Sequence, residues 1–72
     1  MKYRLKNPEA QSFFDVYSNG EFTEKLNERI KWKHSLGYTF DSGFNVIIEF
    51  TTSFAIRVEL LISSEQIELD EE

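Results

Sequence analysis

The 72-residue chain has no cysteine and a single histidine, His34, so neither a disulfide framework nor a Cys/His zinc site can staple it. That matters at this size, because so small a domain buries only about 60% of its unfolded surface and is marginal alone. Apolar runs are short, none longer than stretches such as Val46-Ile47-Ile48 and Leu60-Leu61-Ile62, which excludes a membrane-spanning helix. Met1 to Lys6 is basic but has no apolar stretch behind it, so it does not read as a signal peptide. The lack of thiols fits a reducing compartment, and a cytoplasmic protein is the expectation. Three glycines and one proline leave little room for long loops.

What the chain has instead is aromatic bulk: seven Phe, three Tyr and one Trp. That suffices for one compact core but not for a core plus a deep pocket. A single domain over residues 1–72 is expected, with 70–72 as a frayed acidic tail. Charge is unevenly spread. Residues 1–36 carry seven Lys/Arg and five Asp/Glu, net +2, and residues 37–72 carry one Arg and eight Asp/Glu, net −7. The overall balance is −5, and opposite signs on the two halves bear on the choice of partner.

Local patterns divide the chain. Lys2-Tyr3-Arg4-Leu5-Lys6 alternates like a half-buried strand whose charged outer face suits a sheet edge. Asn7-Pro8-Glu9 supplies an N-cap, a proline at the first helical position and an acid in the first turn. Ala10, Phe13, Phe14 and Tyr17 follow in one helical stripe, and Asn19-Gly20 stops the helix, expected over 8–18. Residues 23–34 read as a second helix capped by Thr23, with Phe22, Leu26 and Ile30 on one side. Arg29, Lys31 and Lys33 alternate with Ile30, Trp32 and His34, however, so a strand over 29–35 is the alternative.

The C-terminal half reads as sheet. Asp41-Ser42-Gly43 is a turn after Tyr38-Thr39-Phe40. Phe44, Val46, Ile48 and Phe50 alternate with Asn45, Ile47, Glu49 and Thr51, and Phe54, Ile56, Val58, Leu60 and Ile62 with Ala55, Arg57, Glu59 and Leu61. With Thr51-Thr52-Ser53 as the loop, Phe50 faces Phe54, Ile48 faces Ile56 and Val46 faces Val58. A two-residue loop would set apolar faces against polar ones. Residues 66–70 alternate again, either as a further strand setting Ile67 opposite Ile62 and Leu69 opposite Leu60, or as an acidic tail. The expected fold is α+β, a three- or four-stranded mainly antiparallel sheet with one or two helices on one face. Its expected core is Phe13, Phe14, Tyr17, Val46, Ile48, Ile56, Val58 and Leu60.

Catalytic chemistry has little to work with. A nucleophile needs an adjacent base, and His34 sits among Lys31, Lys33 and Ser35 as a surface or rim histidine. Glu49 and Glu59 fall on the solvated face of the hairpin, without the burial that separates carboxylate pKa values. No phosphate loop, metal spacing or nucleophile elbow is present. A non-catalytic protein follows, with no cofactor, metal or small-molecule substrate expected.

Three features can carry recognition instead. Arg29, Lys31, Trp32 and Lys33 interleave cations with an aromatic, as single-strand nucleic-acid binders do; the competing reading is a core Trp beneath a solvated basic face. Glu65, Glu68, Asp70, Glu71 and Glu72, continued by Glu49 and Glu59, can imitate nucleic-acid charge; the competing reading is a solubilising tail. Ile47, Ala55 and Leu61 lie opposite the core face among Glu49, Arg57 and Glu59, an apolar patch rimmed by charge. They stay exposed unless residues 21–36 wrap round to cover them.

The composition resembles that of small acidic accessory proteins of bacteriophages and mobile elements of low-GC bacteria. Phe, Tyr, Asn, Ile and Lys make up 25 of 72 residues, with only two alanines, Ala10 and Ala55. The resemblance implies a non-catalytic protein that binds, and by binding inhibits, a host or phage factor. The leading expectation is therefore a protein-binding module that engages another protein or itself through Ile47, Glu49, Ala55, Arg57, Glu59 and Leu61. Two alternatives stand beside it. One is an acidic nucleic-acid mimic that blocks a DNA- or RNA-binding protein. The other is a weak single-strand binder through residues 29–34, although an acidic domain repels nucleic acid. No membrane partner is expected.

Overall fold

A computed structural model describes residues 1–71. The element order is β1 (Tyr3–Leu5), α1 (Pro8–Ser18), α2 (Glu21–Ser35), β2 (Asn45–Thr51), β3 (Arg57–Ser63), a 3-10 turn (Ser64–Gln66) and β4 (Ile67–Leu69). The α+β class is as expected. The single sheet is not: β1 pairs antiparallel with β4, and β2 with β3, as two separate two-stranded ladders.

The first helix forms for the reasons its sequence gives. Asn7 accepts hydrogen bonds from the backbone N–H groups of Glu9 (2.9 Å) and Ala10 (3.2 Å), and Pro8 needs no partner at the first position. Asn19 and Gly20 both take left-handed conformations, φ 55° and 85°, so the chain reverses within two residues and enters α2 at once. Thr23 does not cap α2. The buried Ser18 does that work, its hydroxyl donating to the Phe14 carbonyl (2.7 Å) and accepting from the Phe22 N–H (2.9 Å). Thr23 instead joins Gln11 and Asp15 in a polar cluster that ties the two helices together.

Residues 29–35 are helical, and the alternative strand is overturned. Phe22, Leu26 and Ile30 recur every four residues and are fully buried while Glu24, Glu28 and Trp32 are exposed, a pattern of one helical face, because in a strand all of these would share a side. They pack against Val46, Ile48 and Phe50 of β2, joined by Tyr3, Leu5, Phe44, Ile62 and Ile67. This core differs from the expected one. Val46 and Ile48 belong to it, and Phe14, Val58 and Leu60 pack half-buried at its margin. Phe13, Tyr17 and Ile56 are exposed. The cause is that α2, not α1, lies across β2, so the α1 stripe only partly meets the core.

The β2–β3 register is shifted from the expected one. Phe50 faces Val58, Ile48 faces Leu60 and Val46 faces Ile62. The three-residue loop and the face parity are as expected, but the loop is Ser53-Phe54-Ala55. Thr52 N–H donates to the Ile56 carbonyl (2.8 Å) and Ala55 N–H to the Thr52 carbonyl (2.9 Å). The β-branched Thr51 extends the strand, and Ala55 supplies the left-handed residue, φ 63°, that closes such a loop.

β4 exists, but not beside β3. The Ser63 hydroxyl accepts from Glu65 N–H (3.2 Å), and Gln66 accepts from Ser63 N–H (3.1 Å). This capping box turns the chain away, and Leu5 then faces Ile67 and Tyr3 faces Leu69. Asp70 is held as well: its N–H donates to the Lys2 carbonyl (2.9 Å). The acidic tail thus begins as ordered chain, and its last residue, Glu72, lies outside the described residues.

Candidate functional site

On the side of the β2–β3 hairpin away from the core, Ile47 and Leu61 stay exposed. Ladder parity fixes its geometry. Ser64 N–H bonds to the Phe44 carbonyl and Thr52 N–H to the Ile56 carbonyl, so even-numbered residues form the hydrogen-bonded pairs. The odd-numbered pairs are the close, non-bonded ones, with Cα atoms about 4.5 Å apart. Ile47 and Leu61 are such a pair, 49% and 70% exposed. Glu49 and Glu59 are the next pair along.

Two like charges directly opposite are unfavourable, and Arg57 relieves the strain. Its Nη2 lies 2.7 Å from Glu49 Oε2. The hydrogen bond and the charge of Arg57, with the more distant charge of Arg29, hold the Glu49 carboxyl below the usual glutamate range.

α2 forms the other wall. Arg29, Trp32 and Lys33 border a groove of about 470 Å³ whose floor is Asn45, Val46, Ile47, Glu49, Glu59 and Leu61. Trp32 is 51% exposed, with Arg29 Cζ at 5.8 Å and Lys33 Nζ at 5.6 Å from its ring centre. Lys33 also sits 4.9 Å from the Tyr38 ring. Cations at these distances are attracted to the ring faces. The result is a groove lined by basic and aromatic side chains from α2 and by apolar and acidic ones from the hairpin.

Two patches that are separate in the sequence thus meet. Arg29, Trp32, Lys33, Ile47, Glu49, Glu59 and Leu61 share the groove, with Arg57 beside it through Glu49. Two expected members do not join. Ala55 is a loop residue rather than a sheet residue, a direct consequence of the register shift. Lys31 is exposed but does not line the groove. Trp32 is not a core anchor either, because Ile30 holds the buried position on α2.

His34 is half-buried in an aromatic cluster, with ring centres 5.8 Å from Tyr3, 5.5 Å from Phe40 and 5.9 Å from Phe44. Among the described residues no group of three or more His, Asp or Glu is placed to hold a metal ion. Nor, among the described residues, is any helix long and apolar enough to cross a membrane. The acidic C-terminal run is broken up by pairing: Arg4 lies 3.7 Å from Glu68 and 3.8 Å from Asp70.

Sequence reasoning missed a second exposed apolar surface by assigning most of it to the core. Phe13, Val16 and Tyr17 on α1, with Phe54 on the hairpin loop, all stand in solvent. A signal was present: Ala10, Phe13, Phe14, Val16 and Tyr17 span a wider arc of α1 than one buried stripe requires. Comparison with protein-family models, with curated proteins and with solved structures returns no match.

Proposed function

We propose that the protein is a small non-catalytic binding module that engages another protein, or a second copy of itself, through the groove between α2 and the outer face of the hairpin. The observation that carries this is the uncovered Ile47–Leu61 pair beside the exposed Trp32 ring. An aromatic anchor, two aliphatic side chains and flanking charges of both signs make up the composition of a protein-binding hot spot. The same groove disfavours a phosphate backbone, because Glu49 and Glu59 face the cations that would hold it. An accessory or inhibitory role suits a module of this kind.

The test pairs sedimentation of the purified protein with affinity capture from source-cell extract, using wild type and an Ile47→Lys/Leu61→Lys variant. Loss of self-association or of a defined captured protein, with the melting curve unchanged, is the expected result. A variant that sediments and captures like wild type overturns the reading.

A further inference from the structure

β3 has an open edge. β2 pairs with it on one side, and β4 pairs with β1 instead of covering the other. Even-numbered residues carry the β2–β3 bonds, so the N–H and C=O groups of Arg57, Glu59 and Leu61 point away from β2. Among the described residues no hydrogen bond reaches these groups, whereas Ser63, next in the row, donates its N–H to Gln66 Oε1 at 3.1 Å. The open side of β1 is served differently, with Asn27 and Gln11 accepting from the N–H groups of Tyr3 and Leu5. An unserved row of backbone groups is a template for another strand.

There is room beside it. A cavity of about 460 Å³ is lined by Leu5, Ala10 and Phe14 together with Leu60, Leu61 and Ile62 of β3. Leu60 and Ile62 turn towards the core, while Leu61 turns away and is 70% exposed. A cavity that touches all three passes round an edge of β3, and β2 occupies the other edge.

Charge identifies the strand that fits. A second β3 can lie antiparallel to the first about a two-fold axis, outward groups facing outward groups, so that odd residues pair with odd. Centring that axis on Arg57 or on Glu59 sets like charges opposite each other, which is unfavourable. Centring it on Leu60 sets Arg57 opposite Ser63, whose N–H is already engaged. Centring it on Val58 sets Arg57 of each copy opposite Glu59 of the other. Glu59 needs such a partner: it lies directly opposite Glu49, and among the described residues no ion pair engages it. Arg57 is held by Glu49 at 2.7 Å, but a guanidinium has further donors to offer. The same register sets Ile56, 58% exposed, opposite Leu60 of the second copy, which lines the cavity. We infer that two copies of the chain join along their β3 edges in this register, making one continuous antiparallel sheet. The inference goes beyond the groove reading and stands if the groove binds nothing.

The test combines sedimentation equilibrium with amide exchange on the full chain. The expected result is a dimer that forms as concentration rises, with the Arg57 and Glu59 amides slowed in it. The Leu61 amide should still exchange fast, because it faces Ala55, where the left-handed φ of 63° takes the chain out of the strand. In a mixture of labelled and unlabelled protein, the Hα protons of the two Val58 residues should give a strong cross-copy Overhauser contact. Arg57→Glu and Glu59→Arg should each weaken dimerisation about tenfold or more, because each sets like charges in both symmetry-related pairs. The double reversal should restore it. Glu59→Pro removes an outward N–H and spares the ladder, so it should give a folded monomer; if it does not fold, the charge reversals decide. Ile47→Lys should dimerise as wild type does, which separates the edge from the groove. A chain that stays monomeric at the highest soluble concentration overturns the inference and leaves the edge to a strand of a different protein. So does a dimer that the charge reversals leave untouched, that Ile47→Lys abolishes, or whose cross-copy contacts fit another register.

Discussion

Asn27 bonds to both backbone groups of Tyr3: the Tyr3 N–H donates to Asn27 Oδ1 at 2.7 Å, and Asn27 Nδ2 donates to the Tyr3 carbonyl at 3.1 Å. A helix side chain thereby takes the place of a neighbouring strand on the open side of β1. Gln11 does the same one step along, accepting from the Leu5 N–H at 2.8 Å. An edge strand otherwise offers unpaired groups for aggregation, and these two amides close it.

The first prediction concerns that closure. Asn27→Leu removes both bonds to Tyr3 and a third to the Thr23 carbonyl (2.9 Å), leaving part-buried polar groups without partners. A loss of about 1–3 kcal/mol is expected, read as a lower urea midpoint, with greater aggregation on concentration. An unchanged midpoint would show that water serves the β1 edge equally well.

Core truncations should rank by packing against α2. Phe22 is fully buried, and Phe22→Ala is expected to cost about 3–5 kcal/mol. That approaches the total stability of about 5 kcal/mol expected of so small a domain, so the variant should be largely unfolded. Phe14 packs on Phe22 and Phe50, with ring centres 5.0 and 6.2 Å away, but is only half-buried, so Phe14→Ala should cost less. Phe13→Ala should stay within about 0.5 kcal/mol of wild type. Melting curves in any other order would mean that α1 carries more of the core than its exposure indicates.

Much of this arrangement is legible in the chain, and the failures share a cause. Asn7-Pro8-Glu9 and Asn19-Gly20 mark α1 because capping chemistry is local. The parity of the hairpin faces is legible too, since alternation fixes which side is apolar. The position of the loop along that alternation is not: every shift of two residues in the loop preserves parity, and no glycine marks Ala55 as the left-handed residue. Likewise, apolar periodicity shows that both helices have an apolar face, but not which helix lies on the sheet. Assigning that place to α1 put Phe13 and Tyr17 inside and left Phe22, Leu26 and Ile30 out, while the register shift moved Ile56 beyond the ladder into solvent. The groove was half legible, because its two walls are separate patches in sequence that only tertiary packing brings together.

The register has its own signature. Ile47 with Leu61 and Glu49 with Glu59 are non-bonded pairs, so their Hα protons should give strong cross-strand Overhauser contacts. Contacts between residues 47 and 57 and between 49 and 55 would instead restore the register expected from the sequence.

Ala55 offers a gain-of-stability test. Its φ of 63° is a conformation glycine adopts without a Cβ penalty of about 1–2 kcal/mol, while glycine loses roughly 0.5–1 kcal/mol through its freer unfolded state. Ala55→Gly should therefore leave the melting midpoint equal or slightly raised, whereas Ala55→Val should lower it. If Gly lowers the midpoint as Val does, the loop does not hold Ala55 in this conformation.

The pair Glu49–Arg57 sets a pH response that can be followed at a single atom. The Glu49 carboxyl titrates below the usual glutamate range in the folded protein, chiefly through its bond to Arg57, while the unfolded chain titrates at the ordinary value. The folded state therefore holds the proton less tightly. The contribution of the pair is fully present above the ordinary glutamate range and drains away as pH falls through the folded value. Raising the pH above neutral changes nothing, because Glu49 pushes the Arg57 guanidinium further up. Both side chains lie in solvent, so the effect on global stability should be small and weaken with salt. The site itself should respond clearly. In a carboxyl-carbon NMR titration, Arg57→Gln should raise the Glu49 midpoint, since the variant removes the leading cause of the shift and leaves Glu59 directly opposite. An identical midpoint in wild type and Arg57→Gln would mean that the 2.7 Å contact does not persist in solution, and that Glu49 and Glu59 face each other across the groove without a cation between them.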